Sequence, residues 1–253
     1  MDEFRPLKLR VGNVDIATNQ RIRVKGSHNM TLLPDFFMID VFNMTDEDLA
    51  VVKDSEKITI IGKDDFMLCR GEVDDMYTHM EGVNLITTIS ILDGKKFYDT
   101  NIKETVGGGA SVQTTFNSIM RNAAIGSFCA NDKRIFRGQT FSGRLADNIS
   151  MLARSVDARA FITMGAVHIV AKGMASEIVN INDFDIIEDA DFAKGMRIIK
   201  TEVKGYPVGA LVNVDNRQYR LVSQKIDADN YKGQWDSHLI LVDEKEVTKM
   251  EGG

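Results

Sequence analysis

Proline is scarce in this chain, 3 of 253 residues, and glycine stands at 20, so collagen-like, mucin-like and low-complexity architectures have no compositional basis. Cysteine is scarcer still: Cys69 and Cys129 lack the dense, even spacing of a disulfide scaffold, which leaves two reduced, half-buried thiols as the expectation. No uncharged apolar run approaches the roughly 18 residues that span a bilayer. The opening residues Met1, Asp2 and Glu3 are acidic where a signal peptide is basic and then apolar, so a protein made and kept in the cytosol is expected. Positive charge is also short: 31 basic against 37 acidic residues give a net charge of -6, which argues against DNA packaging or a polybasic membrane-surface role.

What is present is 43% hydrophobic residues, and a chain of 253 residues can bury roughly three quarters of its unfolded surface. Residues 1–100 hold 18 acids and 12 bases, 101–195 hold 10 of each, and 196–253 hold 9 of each, so the net negative charge lies wholly in the first hundred residues. Alternation and β-branched enrichment predict strands over 7–11, 21–25, 35–43, 57–61, 66–76 and 83–92, a small β-barrel or sandwich. Thr45 followed by Asp46, Glu47 and Asp48 is an N-cap with acids on the first turn, which predicts a short helix through Val52.

Asp93-Gly94 marks a turn, and from Thr105 to Asn131 the only charged residue is Arg121. Val112, Phe116, Ile119, Met120 and Ala123 recur at helical spacing, as do Phe141, Leu145, Ile149, Leu152 and Val156, which predicts two amphipathic helices. Residues 159–164, Gly165 and 166–171 read as a β-hairpin closing a small α/β domain. Beyond Met196 the strand pattern returns over 196–203, 210–214, 218–226 and 234–242; in the last strand Trp235, Ser237, Leu239 and Leu241 share one face, with Asp236 and His238 on the other. The expected fold is mainly β with an α+β middle: an N-terminal β-barrel over 1–100, an α/β domain over 101–195 and an abbreviated C-terminal barrel over 196–253.

Candidate chemistry is sparse. Gly107-Gly108-Gly109-Ala110-Ser111 before a helix suggests a phosphate loop, but no Lys follows in the P-loop position, so a connector between domains is expected. His28, His79, His168 and His238 are far apart and belong to no metal or triad motif. The acid pairs Asp64-Asp65 and Asp74-Asp75 and the run Asp46–Asp48 read as solvated turns rather than a divalent-ion or sugar-cleaving site, since adjacent residues of a strand face opposite ways unless a bulge intervenes. Arg21, Arg23 and Lys25 share one strand face, which suits phosphate contact, a solvated face, or ion pairs across a subunit boundary. No catalytic, cofactor-binding or metal-ligating residue is assigned, and no enzyme activity is expected.

The first hundred residues resemble the opening of central baseplate hub proteins of long-tailed phages, phage-like bacteriocins and type VI secretion spikes. The likeness lies in ordered motifs: Ile39-Asp40-Val41-Phe42-Asn43-Met44-Thr45 before a short helix, Ile58-Thr59-Ile60-Ile61-Gly62, Leu68-Cys69-Arg70-Gly71-Glu72-Val73, and a long strand ending in Asp93-Gly94. Lys194-Gly195-Met196-Arg197-Ile198 and Pro207-Val208-Gly209-Ala210-Leu211-Val212 look like the family's re-entry into a second barrel, and 217–242 like its final strand pair. The resemblance implies a structural homotrimer that joins the six-fold tail tube to the three-fold spike or tail tip, with tube, spike and tape-measure proteins as partners. It further implies assembly in the host cytoplasm, then residence in the virion tail or bacteriocin particle, with DNA passing through unbound. Acids of the first segment are expected to line that channel. The chain shows no spike or lysozyme extension, so no cell-wall cleavage is expected of it. The alternatives are another tail component, such as a tube-terminal adaptor or tail-lysin scaffold, or a small-ligand binder or enzyme using the middle domain.

Overall fold

The computed structural model describes residues 7–244 apart from 63–64, 124, 136, 183–184, 193–194 and 232–233. The chain begins with strands β1 (Lys8–Val11), β2 (Val14–Ile16), β3 (Ile22–Asn29) and β4 (Asp35–Phe42), then helix α1 (Asp46–Lys53). Strands β5 (Lys57–Ile61), β6 (Met67–Glu81) and β7 (Asn84–Asp93) follow. The middle carries α2 (Lys95–Asp99), β8 (Asn101–Val106), α3 (Val112–Met120), β9 (Gly126–Ala130), β10 (Gln139–Arg144), α4 (Leu145–Ser155), β11 (Ala158–Thr163) and β12 (Ala166–Ala171). The last part is all strand: β13 (Ile178–Asn180), β14 (Ile186–Phe192), β15 (Met196–Glu202), β16 (Leu211–Val214), β17 (Arg217–Asp229) and β18 (Trp235–Asp243).

The class is mainly β with an α+β middle, as the sequence pattern predicts. No barrel closes among the described residues. The two strand-rich ends join in one 13-stranded sheet with the path β14-β15-β18-β17-β3-β4-β7-β6-β5-β1-β2, and the joint is the antiparallel pair β3–β17 running from Arg23↔Asp229 to Asn29↔Ser223. Strands β13 and β14, which precede residue 196, belong to this sheet through β16 and β15. The middle keeps two small sheets of its own, β8–β10 and β9–β12–β11.

Three apolar cores follow from this pairing. The first lies under β3, β4 and β7, and it takes Val203, Ile226 and Ala228 from the C-terminal strands into an otherwise N-terminal cluster. The second gathers Val112, Phe116, Leu145, Ile149 and Leu152 from one face each of α3 and α4. The third holds Ile199, Val212, Leu221, Leu239 and Leu241. Alternation sets which residues enter: Ser237, Leu239 and Leu241 are fully buried, whereas the His238 side chain is 41% exposed.

Local chemistry explains the elements that the motifs mark. Thr45 accepts the Asp48 N–H at 3.1 Å and starts α1. Asn43, at φ 52, takes the left-handed conformation that asparagine tolerates; its Oδ1 accepts the Leu85 N–H at 2.9 Å, tying the end of β4 to β7. Gly71 crosses β7 so closely that a Cβ would stand 2.8 Å from the Leu92 carbonyl, so only glycine fits there.

Three local expectations change. Phe141 lies on strand β10 rather than on the second helix, though it is fully buried in the same core. The glycine run turns β8 into α3 within the middle part instead of connecting domains: the Gly109 N–H donates to Ile135 O, and the Ser111 hydroxyl is taken up accepting the Thr114 N–H at 3.0 Å. A bulge does intervene at Asp74-Asp75, where the β6–β7 register shifts between Val73 and Asp75. It sends Asp74 to Lys95 Nζ at 2.6 Å, while Asp75 Oδ1 accepts the Met76 N–H, so the two acids do not converge. Asp64 lies outside the described residues; Asp65 pairs loosely with Lys8 at 3.8 Å.

Candidate interaction surface

The outer face of the central sheet is built from the residues that alternate with its core positions. Registers set Asp229, Arg23, Asp40 and Thr88 side by side across β17, β3, β4 and β7, and Asp227, Lys25 and Met38 one pleat further. The three cations that the sequence placed together are each paired inside the chain: Arg21 Nη2 to Asp229 at 2.5 Å, Arg23 Nη2 to Asp40 at 2.9 Å and Lys25 Nζ to Asp227 at 3.2 Å. Asp40 also accepts from Thr88 Oγ1 at 2.7 Å, and the Arg21 and Arg23 guanidiniums lie 4.5 and 4.9 Å from the Phe42 ring centroid. This ladder stitches N-terminal to C-terminal strands, and each of its three cations has a carboxylate partner within the subunit.

Beyond that ladder the β6–β7 hairpin outruns its neighbour. Strand β4 stops at Phe42↔Ile86, yet β6 and β7 continue to Glu81↔Asn84. The overhang carries Met80, Val83 and Leu85 at 72%, 94% and 44% exposure, with Val83 on its two-residue turn, and Tyr77, 51% exposed, lies just inside it. An overhanging apolar hairpin and, among the described residues, the sheet-edge strands β2, β13 and β14 are features that gain by meeting another chain. The sequence pattern ended the sixth strand near Met76, so it missed this arm; the signal that finds it is Gly82-Val83 between two strand-like runs.

Two polar junctions fix the middle part against this sheet. At one, Arg220, 1% exposed, donates from Nε to Glu244 at 2.9 Å, from Nη1 to Gly209 O at 2.6 Å and from Nη2 to Met174 O at 2.8 Å. Glu244 also accepts from Arg159 Nη1 at 2.6 Å, and the two guanidiniums outweigh burial to hold its carboxyl below the usual range. At the other, Asp93 accepts the Gly165 N–H at 2.9 Å, and Ile162 N–H donates to Thr31 O. His28, fully buried, sits 3.2 Å from Asp35 and 3.0 Å from Leu68 O.

Burial lifts Asp93 from its ordinary 3.8 to about 6; Gly165 N–H and His28 oppose the rise, while Asp35 and Glu72 add to it. The native state therefore keeps a proton that the unfolded chain releases, and stability falls as pH rises from near 4 through about 6. Asp93→Asn is expected to remove that slope and to gain about 2 kcal/mol at pH 7.5, read from urea midpoints at several pH values. A slope unchanged by the substitution would contradict it.

The remaining candidates stay apart. His168 stacks on Phe161 and lies 5.2 Å from Phe128, and burial lowers it to about 4, so it is neutral at pH 7. Both cysteines are free thiols, and burial pushes each thiol up. Among the described residues no group of three His, Cys, Asp or Glu is placed to hold a metal ion, and no helix is long and apolar enough to cross a membrane.

No family model matches the chain, and no curated protein matches its sequence. Solved structures do match. The 43 kDa tail protein of prophage MuSo2 from Shewanella oneidensis superposes with a TM-score of 0.68 at 8% identity, over 96% of this chain and 99% of that one. A tail protein from Neisseria meningitidis MC58 gives 0.65 at 9% identity, over 96% and 98%. The E. coli c3393 protein, a type VI secretion component with structural similarity to the phage tail proteins gp27 and gp5, gives 0.62 at 8% identity, over 93% and 76%. The chain thus shares the fold of these phage tail proteins over nearly its whole length.

Proposed function

We propose that this protein is a structural, non-enzymatic component of a phage or phage-like tail, and within it the baseplate hub. Three copies form a ring; the two strand-rich parts of each copy present six related surfaces to the tail tube, and the ring itself presents three-fold symmetry to the spike or tail tip. Tube, spike and tape-measure proteins are then its neighbours, assembly takes place in the host cytoplasm, and DNA passes without specific contact. The observation that carries this reading is the two-way, nearly full-length match to the Shewanella tail protein. The joined sheet supports it, because β3–β17 makes the two strand-rich parts one rigid unit that can hold a fixed angle in a ring.

Light scattering on the purified protein, alone at high concentration and mixed with the tube protein, tests the assembly. A mass of three copies in either condition is expected; a single copy in both overturns the hub.

A further inference from the structure

The end of α4 and the loop before β10 enclose a cleft of about 790 Å³ lined by Lys133, Arg134, Ile135, Arg137, Arg154 and Val156. Lys133 Nζ is occupied by Val156 O at 2.7 Å. The guanidiniums of Arg134, Arg137 and Arg154 make no hydrogen bond or ion pair among the described residues. Arg154, in the last turn of α4, complements the helix dipole; Arg134 and Arg137, on the loop, have no such role.

Permanently charged forks around an apolar floor suit a carboxylate-bearing ligand with some apolar surface.

The same chain carries a surface of the opposite kind. Asp46, Glu47 and Asp48 on the first turn of α1 have no side-chain ion pair among the described residues, although most other acids of the first segment do, including Asp15, Asp40, Glu56, Glu72 and Asp74. One turn on, Val51 is 39% exposed. Helix α1 packs on the first core and the cleft on the second, and among the described residues no ion pair joins them. Two different, complementary patches on one chain make a head-to-tail contact, the kind that closes a cyclic ring.

We propose that the basic cleft at the end of α4 receives the acidic first turn of α1 from the neighbouring copy, and that this contact helps to close the trimer. The inference rests on the hub reading and names the contact within it.

Charge exchange tests it. Asp46→Lys with Glu47→Lys, and separately Arg134→Glu with Arg137→Glu, should each weaken self-association by about tenfold or more. All four together should restore it to within about threefold, and added salt should weaken the unaltered protein. The neutral pair Asp46→Asn with Glu47→Gln replaces the lysine pair should that one fail to fold, and is expected to weaken association by less. Trimers indifferent to every reversal overturn this contact and leave the hub standing. A protein that stays a single copy throughout, with the tube protein present, overturns both. A cleft reversal that leaves the mass unchanged but abolishes retention of a single-stranded DNA oligonucleotide assigns the cleft to nucleic acid and likewise overturns the contact.

Discussion

Arg220→Ala is expected to destabilise the subunit by about 4 kcal/mol, because it strips a buried network of its centre. Arg220 is 1% exposed and makes three separate contacts, to Glu244, Gly209 O and Met174 O. Its removal leaves two carbonyls short of a donor and takes from the half-buried Glu244 one of its two guanidinium partners. Arg220→Met fills the volume yet restores no donor, so it should recover only a minor part. The exposed Arg217, three residues earlier on β17, serves as control, and Arg217→Ala should change the urea midpoint little. A loss below about 1 kcal/mol for Arg220→Ala would show that the middle part is held by its apolar contacts rather than by this junction.

Deleting residues 196–253 is expected to abolish folding of the remainder, not merely its assembly. The deletion removes β17, and with it the whole ladder to β3 and the partners Asp227 and Asp229 of Lys25 and Arg21. It also takes Val203, Ile226 and Ala228 out of the first core and bares β3 as a long open edge. The truncated chain should be poorly soluble, and the segment alone should not fold, since much of its own sheet contact lies outside it. A well-dispersed amide spectrum from the isolated segment, together with a soluble truncated chain, would sink the joined-sheet account.

Much of this architecture is legible in the sequence where its cause is local. Thr45 and the acids after it announce α1, the alternation of 57–61 gives β5 at both ends, and Gly165 marks the β11–β12 turn. The resemblance also rests on residues with local duties: Asn43 turns the chain and clasps β7, and Gly71 admits a close crossing. What escapes is non-local or breaks the pattern. Nothing in 21–25 announces a partner 208 positions away, because pairing between distant strands has no periodic signature. Strand β8 hides because an inward Glu104, accepting from Ser118, occupies a place where alternation calls for an apolar residue. Strand β14 hides under Glu188, Asp189 and Asp191, whose charges suggest a loop until Asp189 is seen paired with Arg197 of β15. The interaction surface was harder still: the cations of β3 stand out in the sequence and are satisfied internally, whereas the unpaired arginines of the cleft are scattered over 134–154.

Direct imaging of the purified protein by electron microscopy, with and without its tube protein, tests the hub most directly. Three-fold rings of tube width that cap the end of assembled tubes are the expected result. Compact single subunits that leave tube ends bare would contradict it.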